Sequence, residues 1–191
     1  MMKNGNEAAA RVIEALDELG IEYLLAGSFS SNYYGIPRST RDADFVVVLS
    51  TGITALAQKL GKEFELDPQA SFESVTGTFR DVFQVPSIPF KIELFHLSKD
   101  PHDCMRFERR REVFDELIGR KVFIPAVEDV IVMKLRWANG AKRGKDSDDV
   151  RDVIAVQGDD AFDWDYIHQW TAQHGTRELL DEIRASIPPI D

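Results

Sequence analysis

One stretch of the sequence constrains the fold more than any other, the uninterrupted apolar run from Phe45 to Leu49. Five consecutive apolar residues, three of them valine, favour a strand that is covered on both faces. Apolar residues also recur at helical spacing from Asn6 to Leu19 and from Ile53 to Leu60, which predicts a helix before and after this strand. We therefore expect the core to be built around a strand at 45–49.

The rest of the chain alternates between short apolar runs and helical periods. A strand at 21–26 precedes a short helix at 29–34, and the region from 64 to 97 favours strands at 72–75, 79–85 and 90–97. A strand at 121–124 precedes four helices, predicted at 127–138, 146–156, 162–173 and 178–185. This order of helix, strands and then helices predicts an α+β fold with a helical C-terminal part.

Composition excludes several classes of protein. With 191 residues, 43% of them apolar, the chain is expected to form one packed domain, or one with a helical appendage, and not a disordered segment. No apolar run approaches the ~18–20 residues of a membrane span, so no membrane contact is predicted. The single cysteine, Cys104, cannot form an internal disulfide, and the first residues lack the apolar stretch of a signal peptide. The expected location is the cytoplasm.

Charge is distributed unevenly along the chain. The 33 acidic and 23 basic residues give a formal charge of −10, which argues against a general nucleic-acid coat protein because phosphate affinity needs a surplus of Lys and Arg. Residues 146–191 hold 12 acids and 3 bases, a balance of −9, whereas residues 103–145 hold 11 bases and 7 acids. Binding of an RNA acceptor by one basic side of the protein is therefore not excluded by the net charge.

Two carboxylates and a Gly-Ser pair suggest the chemistry. Asp42 and Asp44 directly precede the apolar run, and residues two apart on a strand point to the same face about 6.6 Å apart. Mg²⁺ prefers such hard oxygen ligands when substrate phosphates supply the rest. Gly27 allows the backbone to approach a phosphate, and Ser28 offers a hydroxyl and an amide at a helix N-terminus, where an anion is favoured. Together these residues could hold a nucleoside triphosphate.

The alternative for the carboxylate pair is a solvated turn. Acidic residues two positions apart occur five times in the chain, and about six such pairs are expected by chance. Only the pair at 42 and 44 leads straight into an apolar strand and follows a strand, a Gly-Ser pair and a helix. That context favours the functional interpretation.

The fuller pattern resembles the nucleotidyltransferase superfamily with a DNA polymerase beta type of core. The pattern consists of Gly27, Ser28, Gly35, Arg38, Thr40, Asp42 and Asp44. It is similar to small bacterial nucleotidyltransferases of the abortive-infection toxin type and the aminoglycoside type. The stretches 124–134 and 143–149 also resemble the toxin-related group, so the resemblance covers roughly residues 21–156.

The resemblance implies a fold, an activity and a set of site residues. The implied fold is a nucleotidyltransferase-type mixed sheet flanked by helices, with a catalytic core at 1–125 and a helical region at 126–191 packed on it. The implied enzyme transfers a nucleoside monophosphate from a nucleoside triphosphate, such as ATP, to an acceptor hydroxyl and releases pyrophosphate, with Mg²⁺ or Mn²⁺ as cofactor. The implied catalytic residues and metal ligands are Asp42, Asp44 and Glu93, and the implied nucleotide-binding residues are Gly27, Ser28, Arg38, Arg41 and Lys134.

Several alternatives stay open at this point. The acceptor could be tRNA, a protein hydroxyl or a small antibiotic-like molecule. The chain could instead be a catalytically degenerate module that binds a nucleotide or a partner protein in a defence or toxin–antitoxin pair. Lys134 could be a solvated residue of a helix face, and Asp146 and Asp149 could position it or serve as favourable acids in a first helical turn. The arginine run 109–111 could contact a polyanionic acceptor or simply face solvent.

Overall fold

The computed structural model describes residues 2–50, 52–141 and 144–188. The helices in these ranges are α1 (Gly5–Glu18), α2 (Gly27–Tyr34), α3 (Ile53–Leu60), α4 (Pro101–Glu108), α5 (Val127–Ala141), α6 (Gly144–Gln157), α7 (Trp164–Gln173) and α8 (Arg177–Ala185). The strands are β1 (Tyr23–Ala26), β2 (Asp42–Val47), β3 (Glu65–Leu66), β4 (Ser71–Glu73), β5 (Thr78–Val85), β6 (Phe90–His96), β7 (Arg111–Asp115) and β8 (Arg120–Ile124).

A mixed sheet organises the molecule. Its strand order is β1-β2-β6-β5-β3, and β4 also pairs with β5, whereas β7 and β8 form a separate antiparallel hairpin. Strands β2 and β6 are parallel and in register, so that Asp44 lies opposite Glu93 and Asp42 lies opposite Lys91. The other pairs of this sheet are antiparallel. The register brings residues almost 50 positions apart in sequence to the same end of two neighbouring strands.

Strand β2 is covered on both faces from Phe45 onward, as the apolar run predicts. Phe45 and Val47 belong to the main hydrophobic core, whereas Val46, on the opposite face, packs in a second small cluster with Leu24 and Phe107. The strand begins at Asp42 and ends at Val47 instead of spanning 45–49. Its hydrogen bonding to β1 and β6 continues through the acidic residues, so the pairing partners and not the apolar pattern set its ends.

Helix α4 has no counterpart in the sequence-based prediction. Its start carries ordinary signals, because the Asp100 side chain accepts a hydrogen bond from the Asp103 backbone and Pro101 occupies the first turn. The residues that it buries are mostly polar, namely His102, Asp103, Arg106 and Phe107. An apolar period cannot reveal a helix whose buried face is built from charged and hydrogen-bonding groups. Strand β7 was not predicted either, because only one of its five residues is buried and that residue, Asp115, is charged.

The C-terminal helices pack against the same core as the sheet. Val130 and Ile131 of α5, Val153 of α6 and Leu180 of α8 share one hydrophobic cluster with Phe45. The boundary at residue 125 stays a prediction. Within the described residues, no helix combines the length and the apolar character that crossing a membrane requires.

Candidate active site

A cavity of about 310 Å³ opens over one face of β2 and β6. Of the eight residues predicted for the site, six line this cavity: Gly27, Ser28, Asp42, Asp44, Glu93 and Lys134. Arg38 reaches its edge, because the guanidinium donates a hydrogen bond to Ser28 Oγ at 3.0 Å. Arg41 is exposed and does not line the cavity, so its predicted role in nucleotide binding has no geometric support.

Gly27 lies where the start of α2 comes into contact with Asp44 of β2. Its φ is +59°, a conformation that favours glycine, and a Cβ atom built on it would lie 1.9 Å from Asp44 Oδ2. Ala26, the preceding residue, pairs with Asp44 across β1 and β2. The tight turn therefore joins β1 to α2 directly beside a carboxylate, and any side chain at position 27 would have to displace Asp44.

The first turn of α2 places backbone N–H groups next to this carboxylate. The N-cap residue Ala26 has no side chain that could accept from the first N–H groups of the helix. Such groups lack intrahelical partners and attract anions, an effect that the helix dipole reinforces. Ser28 is buried, and its hydroxyl lies in the same turn. These features suit a phosphate group.

The three predicted carboxylates lie on one side of the sheet but have different partners. Thr40 Oγ1 donates to Asp42 Oδ1 at 2.7 Å. Glu93 is buried and accepts from two cations, Arg80 Nη1 on Oε2 at 3.0 Å and Lys91 Nζ on Oε1. Across the part of the chain that the structure describes, no three histidine, cysteine or acidic side chains are grouped so that they could hold a metal ion. Carboxylate oxygens suit Mg²⁺ chemically, yet those of Glu93 are engaged by Arg80 and Lys91.

A buried ionic cluster lies beside the first turn of α2, and two of its members, Lys134 and Asp146, line the cavity. Asp149 accepts from the Arg38 guanidinium at 2.7 and 2.8 Å and forms an ion pair with Lys134 Nζ at 2.6 Å. Lys134 also pairs with Asp146 at 3.0 Å and is only 7% exposed, so it is not a solvated residue of a helix face. Ser31 adds a hydrogen bond to Asp149. Asp146 and Asp149 thus hold Lys134 in place, in agreement with the positioning alternative.

The charges of this cluster stabilise one another. Burial opposes ionisation of Asp149, but the hydrogen bond from Arg38 and the charge of Lys134 outweigh burial and lower the pKa of the Asp149 carboxyl. The hydrogen bond to Asp149 in turn raises the pKa of Arg38. One carboxylate therefore fixes two cations beside the first turn of α2. The stretch 143–149, on which part of the resemblance depends, begins at Arg143, which lies outside the described residues.

Several residues of the cavity carried no recognisable sequence signal. Phe95 and Trp137 form an aromatic wall, with ring centroids 6.3 Å apart in an edge contact. Arg80 and Lys91 supply positive charge at Glu93. Lys91 could have been noticed, because it stands two residues before Glu93 on a strand just as Asp42 stands two before Asp44. The positions of Arg80 and Trp137 follow only from the sheet order and the packing of α5.

The arginine run is integrated into the protein. Arg109 bonds to Glu128 and Asp129, with its guanidinium 4.0 Å from the ring centroid of Tyr166. Arg110 pairs with Glu22 and stacks on Phe107. Both arginines are half-buried in ion pairs, so the alternative that the run simply faces solvent is wrong for them. Arg111 is exposed at the start of β7.

A second buried cluster connects Asp129 to helix α7. His102 is fully buried and bonds to Asp129 Oδ1 at 3.1 Å, and its ring centroid is 5.3 Å from that of His174. Burial, the charge of Arg136 and the neighbouring His102 lower the pKa of His174 to about 4. Burial also lowers the pKa of His102, although Asp129 acts in the opposite direction. Both rings are therefore neutral at neutral pH.

The similarity of this chain to known proteins lies in its three-dimensional structure. No protein-family model and no curated protein matches the sequence. The solution structure of the antibiotic-resistance factor ANT(2'')-Ia matches with a TM-score of 0.61 at 12% identity, over 94% of this chain and 96% of that one. The crystal structure of ANT(2'')-Ia in complex with adenylyl-2''-tobramycin gives 0.60 at 12% identity, over 91% and 98%. An antigenic nucleotidyltransferase-like protein from Paracoccidioides brasiliensis gives 0.54 at 20% identity, over 98% and 96%.

The chain has a nucleotidyltransferase fold. Both the expected resemblance and the expected fold class, a mixed sheet flanked by helices, are confirmed. At identities of 12–20% this likeness concerns the fold. Within the nucleotidyltransferase fold of this chain, Gly27 and Ser28 at the start of α2 lie beside the strand that carries Asp42 and Asp44, and all four residues line one cavity.

Proposed function

We propose that this protein is a nucleotidyltransferase, which moves a nucleoside monophosphate from a nucleoside triphosphate to an acceptor hydroxyl and releases pyrophosphate. The approach of Gly27 to Asp44 carries the proposal. It sets the N-terminus of α2, where backbone N–H groups suit phosphate, beside a carboxylate pair, which suits a divalent cation, within one cavity. That combination is what a nucleoside triphosphate requires.

The triphosphate is assigned to the wall formed by α2 and the Asp149 cluster. The backbone N–H groups of Gly27 and Ser28 donate hydrogen bonds to phosphate oxygens at the helix N-terminus. Arg38 and Lys134, held by Asp149, provide the counter-charges, and their fixed positions reduce the conformational entropy lost when the nucleotide binds. Arg41 remains a predicted contact for the nucleotide.

Asp42 and Asp44 fit a divalent cation, because they offer hard oxygen ligands from alternate residues of one strand to the same cavity. They would hold Mg²⁺ or Mn²⁺, which would neutralise charge on the phosphates and, as a Lewis acid, polarise the phosphoryl oxygens. Thr40 orients the Asp42 carboxylate through its hydroxyl. Glu93 is the third carboxylate of the proposed site and lies on the acceptor side.

The acceptor binds between Glu93 and the aromatic wall of Phe95 and Trp137. Aromatic faces suit ring systems, and Glu93 and Arg80 offer groups that can bind and orient a hydroxyl. ANT(2'')-Ia, which has a similar fold, was solved with adenylyl-2''-tobramycin, which supports a small molecule as one acceptor class. RNA and protein hydroxyls are the other two classes to be tested.

A second candidate function is a nucleotide-binding module without transfer activity, which includes a partner-binding role in a defence or toxin–antitoxin pair. The engagement of Glu93 by Arg80 and Lys91 favours it, since a catalytic third carboxylate is expected to be available. The two candidates differ in whether bound nucleotide is ever transferred.

The decisive experiment incubates the protein with each α-labelled nucleoside triphosphate, Mg²⁺, and in turn total RNA, a protein extract and tobramycin. The wild type and the exposed control Asp160→Asn should label one acceptor class, and Asp44→Asn should lose at least about 100-fold of that labelling. Equal labelling by Asp44→Asn would overturn the role of the carboxylate pair. Nucleotide binding without any transfer would favour the binding module, and no nucleotide binding by the wild type would overturn both candidates.

A further inference from the structure

Four charged side chains form a rectangle at the ends of two parallel strands. Asp42 lies opposite Lys91 and Asp44 lies opposite Glu93 in the register of β2 and β6. All four line the same cavity. Neighbouring strands lie about 4.8 Å apart, and alternate residues on one strand about 6.6 Å apart, so the four Cα atoms mark the corners of a compact rectangle. Three corners are acidic and the fourth is a lysine.

The lysine is bound to the acidic corner on its own strand. Lys91 Nζ forms an ion pair with Glu93 Oε1, and Arg80 Nη1 holds Glu93 Oε2 at 3.0 Å. Arg80 is itself fixed, because its Nε donates to Ser71 Oγ at 3.0 Å and its guanidinium lies 5.7 Å from the ring centroid of Phe95. Both oxygens of the buried Glu93 carboxylate thus carry a cationic partner supplied by the chain.

This arrangement makes the Glu93 carboxylate electrostatically different from the two aspartates, because both of its oxygens are paired with cations of the chain. A divalent ion at Glu93 has to displace a charge-assisted hydrogen bond and then lie close to two positive groups in a poorly solvated site. Asp42 instead accepts a hydrogen bond from the neutral hydroxyl of Thr40, and the nearby Arg38 guanidinium is itself hydrogen-bonded to Asp149.

We propose that Lys91 takes the place of the cation on the acceptor side, so that the nucleotide complex contains one divalent ion, at Asp42 and Asp44, and not two. In this arrangement Lys91 is a positioning residue that keeps Glu93 paired with a cation of the chain. The inference rests on the proposed function, because it assumes that a triphosphate and a divalent ion bind in this cavity.

The test counts ions instead of measuring turnover. Mn²⁺ binding is followed by equilibrium dialysis and by electron paramagnetic resonance in the presence of each non-hydrolysable α,β-methylene nucleoside triphosphate. The wild type is expected to bind one Mn²⁺ per nucleotide complex, without the spin coupling of two ions about 3.5–4 Å apart. Lys91→Met, which keeps the length of the side chain without its charge, is expected to bind two coupled ions. The exposed control Lys99→Met is expected to bind one.

A second variant keeps the test decisive if Lys91→Met does not fold. Glu93→Gln is expected to leave the count of the otherwise wild-type protein at one, because Glu93 is not a metal ligand in this proposal. Two coupled ions in the wild type, reduced to one by Glu93→Gln, would overturn the role of Lys91 while supporting the proposed function. A count of one in both the wild type and a folded Lys91→Met would also overturn that role. No nucleotide-dependent Mn²⁺ binding in any protein would overturn the proposed function and this inference with it.

Discussion

Gly27 and Asp44 approach each other so closely that a Cβ atom on residue 27 would lie 1.9 Å from the Oδ2 atom of Asp44. The two residues are 17 positions apart and meet because β1 pairs with β2 in antiparallel register. The requirement for glycine therefore has two sources, the positive φ and the carboxylate. A comparison of two glycine positions can separate them.

We expect Gly27→Ala to displace Asp44 and to lower nucleotide transfer by at least about 100-fold, because a misplacement of about 1 Å in a catalytic group has effects of that size. The matched control is Gly20→Ala. Gly20 also has a positive φ, +64°, but nothing lies within 4 Å of a Cβ atom built there. The control should lose about 1–2 kcal/mol of unfolding free energy from backbone strain and retain transfer. Labelling assays and urea unfolding distinguish the two variants, and equal losses of transfer would contradict the role of the close approach.

Asp149 is predicted to act through the two cations that it holds. Asp149→Asn removes a charge that Arg38 and Lys134 share, and we expect the affinity for the triphosphate to fall about 10- to 100-fold, with a destabilisation of about 1–3 kcal/mol. Titration with a non-hydrolysable triphosphate and urea unfolding measure the two effects. The neighbouring Asp148→Asn is the control, because its side chain is 61% exposed and pairs with Arg151 at the surface. Unchanged affinity in a folded Asp149→Asn would show that the cluster has only a structural role.

The arginine run offers a test of polyanion binding. Arg109→Ala leaves the buried carboxylate of Asp129 without one of its partners, so we expect a loss of about 1–3 kcal/mol in urea unfolding. Arg111→Ala, at an exposed position, should change the stability by less than about 0.5 kcal/mol. If Arg109→Ala keeps the wild-type stability but weakens RNA binding, the role of Arg109 is to bind the polyanion and not to stabilise the fold through its ion pairs.

His174 predicts a specific pH dependence of stability. Its pKa falls from 6.5 in the unfolded chain to about 4 in the folded protein, mainly through burial and the charge of Arg136. Between these values the unfolded chain binds more protons than the folded protein, so stability should fall as the pH decreases from 6.5 to about 4. His102, whose pKa is also lowered, adds to this slope, whereas the lowered pKa values of Asp129 and Asp149 act at more acidic pH, below about 3.8.

The measurement is the midpoint of urea unfolding at intervals from pH 7 to pH 4. His174→Asn should flatten the decline in this window, because the asparagine side chain does not titrate. A decline as steep as that of the wild type would assign the effect to other groups.

Much of the architecture could be predicted from periodicity. The helix at 53–60 and the strands near 79–85 and 90–97 agree with the structure to within one residue at each end. Helix α4 could not be predicted in this way, because it packs His102, Asp103 and Arg106 against polar partners. A hydropathy pattern records only apolar burial, and such buried polar faces are stabilised by specific partners far away in the sequence.

The sequence by itself determined the local parts of the candidate site. Alternation along a strand directs Asp42 and Asp44 to one face, and a Gly-Ser pair between a strand and a helix produces the turn at Gly27, since both depend on neighbouring residues. Only the tertiary structure decided which residues from distant parts of the chain contact this turn and this carboxylate pair. The register of β2 against β6 places Glu93 beside Asp44. Lys91 and Arg80 then pair with the two oxygens of Glu93. The packing of α5 and α6 joins Lys134 to Arg38 through Asp149. These contacts span tens of residues and depend on strand order and helix packing, which no local pattern encodes.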